Sequence, residues 1–263
     1  MDVRGKTVLI TGATGGLGQA LARTFAARGA SLILTGRRSE VLAPLAAELP
    51  ARTIAVDLSD PAAAVRLAGE ADDADVLIAN AALPASGSLD DFTVEEIDRA
   101  LDVNLRAPIV LAHQLGPRMM ERGGGHIVLM SSLSGKAAAP GSALYSATKF
   151  GLRGFGLGLR QDWAARGVGV SIVSPGFIRD AGMFHESGAQ LPPGVGTKLP
   201  QEVADATLKA VERNLAEVEV APLALRAGTL FAQVSPELAA KVSRRMGAGS
   251  VARDVASGQR AKR

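Results

Sequence analysis

A short apolar run followed directly by a glycine-rich turn opens the chain. Thr7 to Thr11 (TVLIT) has the β-branched, apolar composition of a strand, and the glycine-rich segment from Gly12 to Gly18 follows it at once. Residues 19–28 then repeat apolar side chains at helical spacing. A helix N-terminus attracts phosphate groups, and glycines let the backbone approach them closely. This order predicts a nucleotide-binding start, although the spacing is not G-x-G-x-x-G and a plain glycine turn is the alternative.

Strand patterns alternate with helical patterns along most of the chain. The further predicted strands are 31–35, 53–57, 75–79, 127–130, 169–174 and 218–221, and helices are predicted from Asp60-Pro61 and over Thr93–His113. Such alternation predicts an α/β fold, with about seven strands in one doubly wound, Rossmann-like parallel sheet flanked by helices. Ligands bind such sheets at the carboxyl ends of the strands, so the polar residues there are candidates for a site.

The stretch from His126 to Lys149 carries the most suggestive chemistry. An apolar strand ends at Ser131 and Ser132, a Gly/Ala/Pro loop follows, and a helix then carries Tyr145 and Lys149. Four residues are about one helical turn, so the phenol and the ammonium share a face. A nearby cation favours the ionised phenol, whose ordinary pKa is about 10, and this predicts a general acid or base. Ser132 could donate to the same reacting oxygen; the alternative is a solvated Tyr–Lys pair.

Two arginines follow the second predicted strand. In dinucleotide folds this strand end faces the adenosine ribose, where an acid would bind the 2′-hydroxyl and an arginine would accommodate a 2′-phosphate. The chain has Arg37 and Arg38 at this point and no acid. We therefore predict NADP(H) rather than NAD(H) as the cofactor; the alternative is that one or both arginines only face solvent.

Composition excludes several classes of function. The chain has no cysteine and only three scattered histidines, so we predict no metal site. Its single Tyr and single Trp do not interleave with basic residues, which argues against nucleic-acid binding. No signal-peptide core precedes the first strand, and no apolar run reaches the roughly 20 residues of a spanning helix. We expect a soluble, cytoplasmic protein.

The helix after Lys149 contains four glycines, each of which costs about 1 kcal/mol relative to alanine in a helix interior. They are Gly151, Gly154, Gly156 and Gly158. Because Gly151, Gly154 and Gly158 share a face, we expect another backbone to pack closely there, from the sheet or from a second subunit.

The motifs together resemble the short-chain dehydrogenase/reductase family of Rossmann-fold NAD(P)(H) oxidoreductases. The similarity runs from about Lys6 to Asp180 and, more loosely, through residues 218–221. In chain order the matching pieces are TGATGGLG at 11–18, Asp57, Asn80-Ala81-Ala82, Asn104, Ser132, Tyr145-x-x-x-Lys149 and Pro175-Gly176.

The resemblance assigns the catalytic roles. It implies that Tyr145 is the acid/base, that Lys149 lowers its pKa and binds the nicotinamide ribose, and that Ser132, rather than Ser131, orients the substrate oxygen. Asn104 would hold a water that links the lysine to solvent.

Cofactor and substrate contacts are also implied. Cofactor contacts fall on Gly12, Thr14, Gly16, Leu17, Gly18, Arg37, Asp57, Leu58, Asn80, Ala81, Ala82, Tyr145, Lys149, Pro175, Gly176 and Ile178. The Pro/Gly-rich segment 181–200 lacks clear periodicity and should be a mobile loop. The resemblance implies that this loop is the substrate lid. Substrate contacts would be Ser132, Met183, Phe184 and His185, with His185 as a second catalytic base the less favoured reading.

The sequence departs from the family pattern at three points. Ala82 replaces the glycine of Asn-Ala-Gly, which we expect to be tolerated. Asp180 stands where many members carry a threonine, and its carboxylate would disfavour nearby phosphate. The usual terminal strand and Gly-Gly segment is absent. We therefore divide the chain into a cofactor-binding and catalytic domain over 1–225 and a C-terminal extension over 226–263.

The extension concentrates the basic charge of the chain. It carries eight Lys or Arg residues against two acids. Ser235-Pro236-Glu237 predicts a helix start, with an amphipathic stripe at Phe231, Val234, Leu238 and Val242. We expect this helix to pack on the body and to end in a frayed segment. The alternative is a surface for an anionic membrane or a negatively charged substrate carrier.

The resulting functional prediction is NADP(H)-dependent, reversible hydride transfer between the nicotinamide and a carbonyl or secondary alcohol. The resemblance implies a homodimer formed through two long helices. The alternatives are an NAD-linked alcohol dehydrogenase of the same family and a non-catalytic protein that senses NADP(H).

Overall fold

A computed structural model describes residues 1–192, 194–245 and 248–262. Within these residues the chain forms one seven-stranded parallel sheet in the order β3-β2-β1-β4-β5-β6-β7. The strands are β1 Thr7–Thr11, β2 Ser31–Gly36, β3 Ala51–Ala55, β4 Val76–Ala79, β5 Gly125–Met130, β6 Val168–Pro175 and β7 Glu217–Val220. The predicted fold class is confirmed.

Helices cover both faces of this sheet. They are α1 Gly16–Ala27, α2 Ser39–Glu48, α3 Ala63–Glu70, α4 Val94–Leu101, α5 Ala107–Glu121, α6 Ala143–Trp163, α7 Gly182–Ser187, α8 Pro200–Arg213, α9 Leu223–Val234, α10 Pro236–Arg245 and α11 Ala248–Gln259. No helix in the described ranges has the length and apolarity to cross a membrane.

Neighbouring residues of each strand face two different cores. Val8 and Ile10 of β1 pack with α1, α2 and α8, whereas Leu9 packs with α3, α5 and α6. Burial on both faces is why the strands are continuous apolar runs rather than alternating ones. The strand order reverses between β1 and β4, and a crevice opens at the carboxyl ends of these two strands.

The helix predicted over Thr93–His113 is instead two α-helices joined by a π-helical turn, Asp102–Arg106. Thr93 caps α4, because its hydroxyl accepts from the Glu96 N–H at 3.2 Å while the Glu96 carboxylate accepts from the Thr93 N–H at 2.9 Å. The apolar stripe continues through the π-turn, so periodicity alone does not reveal it.

Two further boundaries differ from the sequence prediction. The helix expected at Asp60-Pro61 begins at Ala63, because the Asp60 carboxylate accepts from the Ala62 N–H at 2.9 Å and forms a turn before the helix. Asp57 lies beyond β3, which ends at Ala55, rather than at its last position.

The lid segment 181–200 contains the helix α7, so the prediction of a loop is wrong for residues 182–187. The base of the segment is held by backbone bonds from the Lys198 N–H to the Phe177 carbonyl (2.9 Å) and from the Arg179 N–H to the Lys198 carbonyl (3.0 Å). Pro193, which falls in the predicted loop, lies outside the described residues.

The end of the C-terminal extension is docked rather than frayed. Helix α11 packs against α7, and a 3₁₀ turn over Arg260–Lys262 continues it. Gln259 Nε2 donates to the Met183 carbonyl at 3.0 Å, and Lys262 Nζ pairs with the Glu186 carboxylate at 2.5 Å. The prediction of a frayed end is therefore wrong for the described residues; the predicted extension also includes residues 246, 247 and 263, which lie outside them.

The amphipathic stripe of the extension faces solvent instead of the body. Phe231 is 41% exposed, Val234 79%, Leu238 49% and Val242 43%. The prediction that this stripe packs on the body is wrong, because α9 turns the opposite side, with Leu225 and Thr229, toward the cleft.

The four glycines of α6 differ in what lies next to them. A Cβ on Gly151 would lie 3.2 Å from Leu105 Cδ1, so a side chain and not a backbone packs at this glycine. A Cβ on Gly156 would lie 2.7 Å from Leu129 Cδ1 and 3.0 Å from Ile172 Cγ1, so this glycine allows contact with the sheet. Gly154 and Gly158 meet nothing within 4 Å in the described part of the chain. Close packing of the sheet on their face is therefore a wrong prediction, and packing of a second subunit stays a prediction.

Candidate active site

The turn between β1 and α1 forms one end of the crevice. Gly12 has φ +68°, and a Cβ there would lie 2.8 Å from the Ala81 Cα. A Cβ on Gly18 would lie 2.3 Å from the Gly12 carbonyl oxygen, so the first turn of α1 packs directly on this backbone. The N-cap residue Gly15 has no side chain to cover the first N–H groups of α1. These N–H groups can therefore donate hydrogen bonds to a pyrophosphate.

The end of β4 is held to this turn by hydrogen bonds. The Thr11 hydroxyl accepts from the N–H groups of Asn80 and Ala81, both at 3.0 Å. Asn80 Nδ2 donates to the Thr11 carbonyl at 3.0 Å. Asn80 therefore fixes the glycine turn against the neighbouring strand.

Cations lie at the end of β2, where an adenosine ribose would lie. Arg37 and Arg38 are both exposed, and the Arg38 guanidinium donates to the Thr14 carbonyl at 3.0 Å. Burial raises the pKa of Asp57, but hydrogen bonds from Ser59 and the charge of Arg37 outweigh burial and hold this pKa below its usual value. Asp57 is thus a carboxylate whose charge is already partly balanced by Arg37.

Thr35 provides an independent test of whether a dinucleotide fits here. Its side chain is buried and belongs to the wall of the crevice, and its Oγ1 has no hydrogen-bond partner in the described part of the chain. A free hydroxyl, two nearby arginines and an uncapped helix N-terminus form a donor set that fits a nucleotide with phosphate groups.

Ser132, Tyr145 and Lys149 meet where β5 ends and α6 begins. The Ser132 hydroxyl accepts from the Ser134 N–H at 3.1 Å and is hydrogen-bonded to the Tyr145 phenol. Lys149 Nζ lies 5.6 Å from the centroid of the Tyr145 ring and donates to the Met130 carbonyl at 2.9 Å.

Burial shifts the pKa values of these groups in opposite directions. It raises the pKa of the Tyr145 phenol to about 12, which the hydrogen bond with Ser132 offsets only in part. It lowers the pKa of the Lys149 ammonium to about 8. In the chain by itself, desolvation of the phenolate decides the direction of the Tyr145 pKa, and the hydrogen bond of the Lys149 ammonium goes to Met130. That Lys149 lowers the pKa of Tyr145 stays a prediction.

Ser131 and Asn104 act on the backbone around the site. The Ser131 hydroxyl donates to the Lys149 carbonyl at 3.1 Å, whereas Ser132 reaches the phenol. Asn104 is fully buried: its Oδ1 accepts from the Leu83 N–H at 2.6 Å and its Nδ2 donates to the Leu83 carbonyl at 2.9 Å. Asn104 therefore does not line the crevice; it fixes the segment after β4 that does.

Most of the predicted site residues are brought together in one cleft of about 980 Å³. Every predicted cofactor contact lines it, as do the predicted substrate contacts Ser132, Met183 and Phe184. His185 does not line it. Asp180, with φ +68° and a side chain 65% exposed beside Arg179, also points elsewhere, so its carboxylate does not face the predicted phosphate region.

Several cleft residues were not predicted from the sequence. Phe177 packs on Phe184 with ring centroids 4.9 Å apart. Other unpredicted lining residues are Arg99, Leu133, Leu225, Thr229, Val255, Gln259 and Lys262. Most of the second group belong to the C-terminal extension, whose local pattern indicates helices but not where they dock.

A buried ion-pair network behind the Ser132 loop was also missed. Lys136 is 7% exposed and pairs with Glu217 at 3.1 Å and with Glu219, both on the edge strand β7. Arg153 of α6 pairs with Glu217 at 2.7 Å, and Arg226 of α9 with Glu219 at 3.1 Å. The alternation of acids in β7 (EVEV) was the available signal.

Comparison with known proteins identifies relatives over most of the chain. Residues 6–192 match the family model described as short chain dehydrogenase. Ketoacyl reductase HetN of Nostoc sp. is 36% identical over 225 residues, which cover 82% of this chain and 78% of that protein. Dehydrogenase/reductase SDR family member 7B of Bos taurus is 37% identical over 191 residues, or 67% of this chain, and the chain spans 59% of that protein's length. A structure of a short-chain dehydrogenase from Sphingobium yanoikuyae in complex with NADPH is 30% identical, with a TM-score of 0.77, over 89% of this chain and 95% of that one.

Proposed function

This chain belongs to the short-chain dehydrogenase/reductase family of oxidoreductases, and we propose that it catalyses reversible, NADP(H)-dependent hydride transfer on a carbonyl or secondary alcohol. The observation that carries the proposal is the meeting of Ser132, Tyr145 and Lys149 in the cleft that begins at the glycine turn. A protein that only senses the cofactor would not need this set of side chains.

In the direction of reduction, Ser132 and Tyr145 donate hydrogen bonds to the substrate carbonyl oxygen and polarise it. A nicotinamide cofactor held by the glycine turn and Lys149 would supply the hydride to the carbonyl carbon. Tyr145 gives its phenolic proton to the oxygen, and its high pKa keeps this proton in place until the alkoxide forms. The Lys149 ammonium stabilises the phenolate that remains and binds the ribose beside it, and Asn104 keeps the wall of the cleft in place.

We assign NADP(H) rather than NAD(H) on the two cations at the end of β2. Arg38 is oriented by its bond to the Thr14 carbonyl, and Arg37 lies near enough to Asp57 to affect its pKa. A 2′-phosphate placed here would meet both guanidinium groups, whereas no carboxylate occupies the position after β2 that would bind a 2′-hydroxyl. The NADPH in the structure of the Sphingobium relative supports this assignment.

The substrate proposal is less specific. Apolar side chains of the lid and of α9 and α11, including Met183, Phe184, Leu225 and Val255, line the cleft, which favours a carbonyl compound with an apolar body. Since one relative carries the name ketoacyl reductase, oxoacyl compounds are the first substrates to examine.

The test is a spectrophotometric screen for NADPH oxidation with ketones, aldehydes, oxo-steroids and oxoacyl thioesters. We expect turnover with at least one class, and none in the Tyr145→Phe variant. NADPH binding without oxidation by any compound would favour the sensor alternative, and faster turnover with NADH would favour the NAD-linked enzyme.

We also propose that the protein forms a dimer through α5 and α6. Gly154 and Gly158 leave an open stripe on α6, and Phe150 is 41% exposed on the same helix. A second copy packed here would account for glycines that otherwise weaken the helix.

A further inference from the structure

Helix α11 forms part of the cleft wall and contacts two of its other walls. A Cβ on Gly258 would lie 2.0 Å from the Ser187 carbonyl oxygen, so α11 and the end of the lid helix α7 are in backbone contact. A Cβ on Gly141, in the loop before Tyr145, would lie 3.3 Å from the Ala252 Cβ. The C-terminal helix therefore extends from the lid to the loop that leads into the catalytic helix.

Gln259 is the polar residue that this arrangement buries. It is 4% exposed and lines the cleft. Its Nε2 donates to the Met183 carbonyl at 3.0 Å, which fixes the orientation of the amide, since the opposite orientation would place two acceptor oxygens against each other. Its Oε1 is buried and receives no hydrogen bond from any residue the structure describes.

Within residues 1–192, 194–245 and 248–262, no group donates to this oxygen. Arg260, the next residue along the chain, is exposed and does not line the cleft, and Lys262 is paired with Glu186 at 2.5 Å. The cleft lining to which Gln259 belongs also includes the apolar side chains of Met183, Phe184 and Val255. A buried acceptor without a donor is unfavourable, and it gains most from a ligand group that can donate.

We propose that Gln259 is a substrate-recognition residue whose Oε1 accepts a hydrogen bond from a hydroxyl or amide N–H group on the substrate, at a distance from the reacting carbonyl. This inference rests on the proposed function, because it assigns specificity within the same cleft. It specifies the substrate as an apolar carbonyl compound that carries a second, hydrogen-bond-donating group.

Two matched series of ketones test the proposal. One series consists of 2-alkanones of increasing chain length with a terminal hydroxyl, and the other consists of their terminal methyl ethers, which cannot donate. Affinities are measured by calorimetry on the NADPH complex of Tyr145→Phe, so that no turnover intervenes, and kcat/KM is measured on the chain with Tyr145 intact. Each is repeated with Gln259→Met, with Gln259→Leu as a second apolar variant, and with the control Ser257→Ala, whose hydroxyl is exposed and bonds only within α11.

At the chain length that reaches Gln259, we expect the hydroxyl ketone to be favoured over its ether by at least about tenfold. Gln259→Met or Gln259→Leu should reduce this ratio to about one, and Ser257→Ala should keep it. If Gln259 only held the lid through Met183, the Gln259 variants would bind hydroxyl ketones and ethers equally more weakly. The ratio of hydroxyl ketone to ether would then stay as in the wild type, which would overturn the proposal.

The result also separates this inference from the proposed function. Turnover of the ethers with no hydroxyl preference at any length overturns the role of Gln259 and leaves the proposed oxidoreductase intact. Absence of both binding and turnover in the two series counts against the proposed substrate class, and the role of Gln259 falls with it.

Discussion

Lys149 Nζ lies 5.6 Å from the centroid of the Tyr145 ring, one helical turn along α6. Lys149 is buried and Tyr145 is partly buried, and desolvation lowers the pKa of the ammonium to about 8 and raises that of the phenol to about 12. The pair therefore holds a firmly bound phenolic proton next to an ammonium that loses its proton more easily than an ordinary lysine does.

Cofactor affinity should depend on the protonation of Lys149. Because its pKa is lowered, the ammonium loses its charge as pH rises through about 8 instead of about 10.5. If the charged form binds the ribose, the Kd for NADPH should rise roughly tenfold between pH 7 and 9. In Lys149→Arg, whose guanidinium stays charged, affinity should be flat over this range, as measured by fluorescence titration. A pH-independent Kd in the wild type would contradict this role.

Cofactor choice should depend on Arg37 and Arg38. Arg37→Asp replaces a guanidinium with a carboxylate. We expect the affinity for NADPH to fall by about 10- to 100-fold and the affinity for NADH to stay equal or improve. Arg52→Asp, an exposed arginine on β3 that pairs with Asp73, serves as the charge-matched control. If the affinity for NADPH fell equally in both variants, the change in net charge alone would explain the effect, and the role of Arg37 would be contradicted.

The sheet and the glycine turn at one end of the cleft could be predicted from the sequence because their signals are local. Strands buried on both faces are unbroken apolar runs, and the glycine turn follows β1 without a gap. The pKa direction of Tyr145 could not be predicted, because spacing reveals the neighbouring cation but not the depth of burial. The role of Asn104 could not be predicted either, because Asn104 lies in the π-turn, which the sequence does not reveal, and its side chain bonds to the Leu83 backbone.

The ion pairs of Lys136 should stabilise the loop after Ser132. Lys136→Met would leave Glu217 and Glu219 close together without their shared cation, and we expect a loss of about 3 kcal/mol in the free energy of unfolding. Arg66→Met removes an exposed pair with Asp60, which water screens, and should cost much less. Urea denaturation of both variants measures the difference, and equal losses would show that the network adds no stability of its own.

His126 should make the fold sensitive to acid. Its Nε2 lies 2.8 Å from the Ser171 hydroxyl, and burial lowers its pKa to about 3. In the unfolded chain the His126 imidazole becomes protonated below about pH 6.5, whereas in the folded chain it stays neutral down to about pH 3. The free energy of unfolding is therefore unaffected by this group above pH 6.5 and decreases as the pH falls from 6.5 toward 3. The contribution lost by pH 5 is about 2 kcal/mol.

The control for this effect is a second histidine. His126→Gln should lose less stability than the wild type between pH 7 and 5, whereas His113→Gln, at an exposed position on α5, should follow the wild type. Parallel pH dependence of His126→Gln and wild type in urea denaturation would show that His126 is not the acid-sensitive group.

The C-terminal extension was the part least accessible from sequence. Its helical pattern was correct at Pro236, where α10 begins. Its docking depends on contacts distant in sequence, such as Gly258 against Ser187 and Gln259 against Met183, which leave no periodic signature. The apolar stripe of the extension therefore predicted packing on the body, whereas its residue Val234 is 79% exposed.

The central claim is that the Tyr145 phenol transfers the proton in hydride transfer. Its most direct test is single-turnover oxidation of bound NADPH by Tyr145→Phe, with the best carbonyl compound from the screen. We predict that the rate falls at least about 100-fold while the Kd for NADPH stays within about threefold of wild type, because only the general acid is lost. A rate within about threefold of wild type would contradict the account.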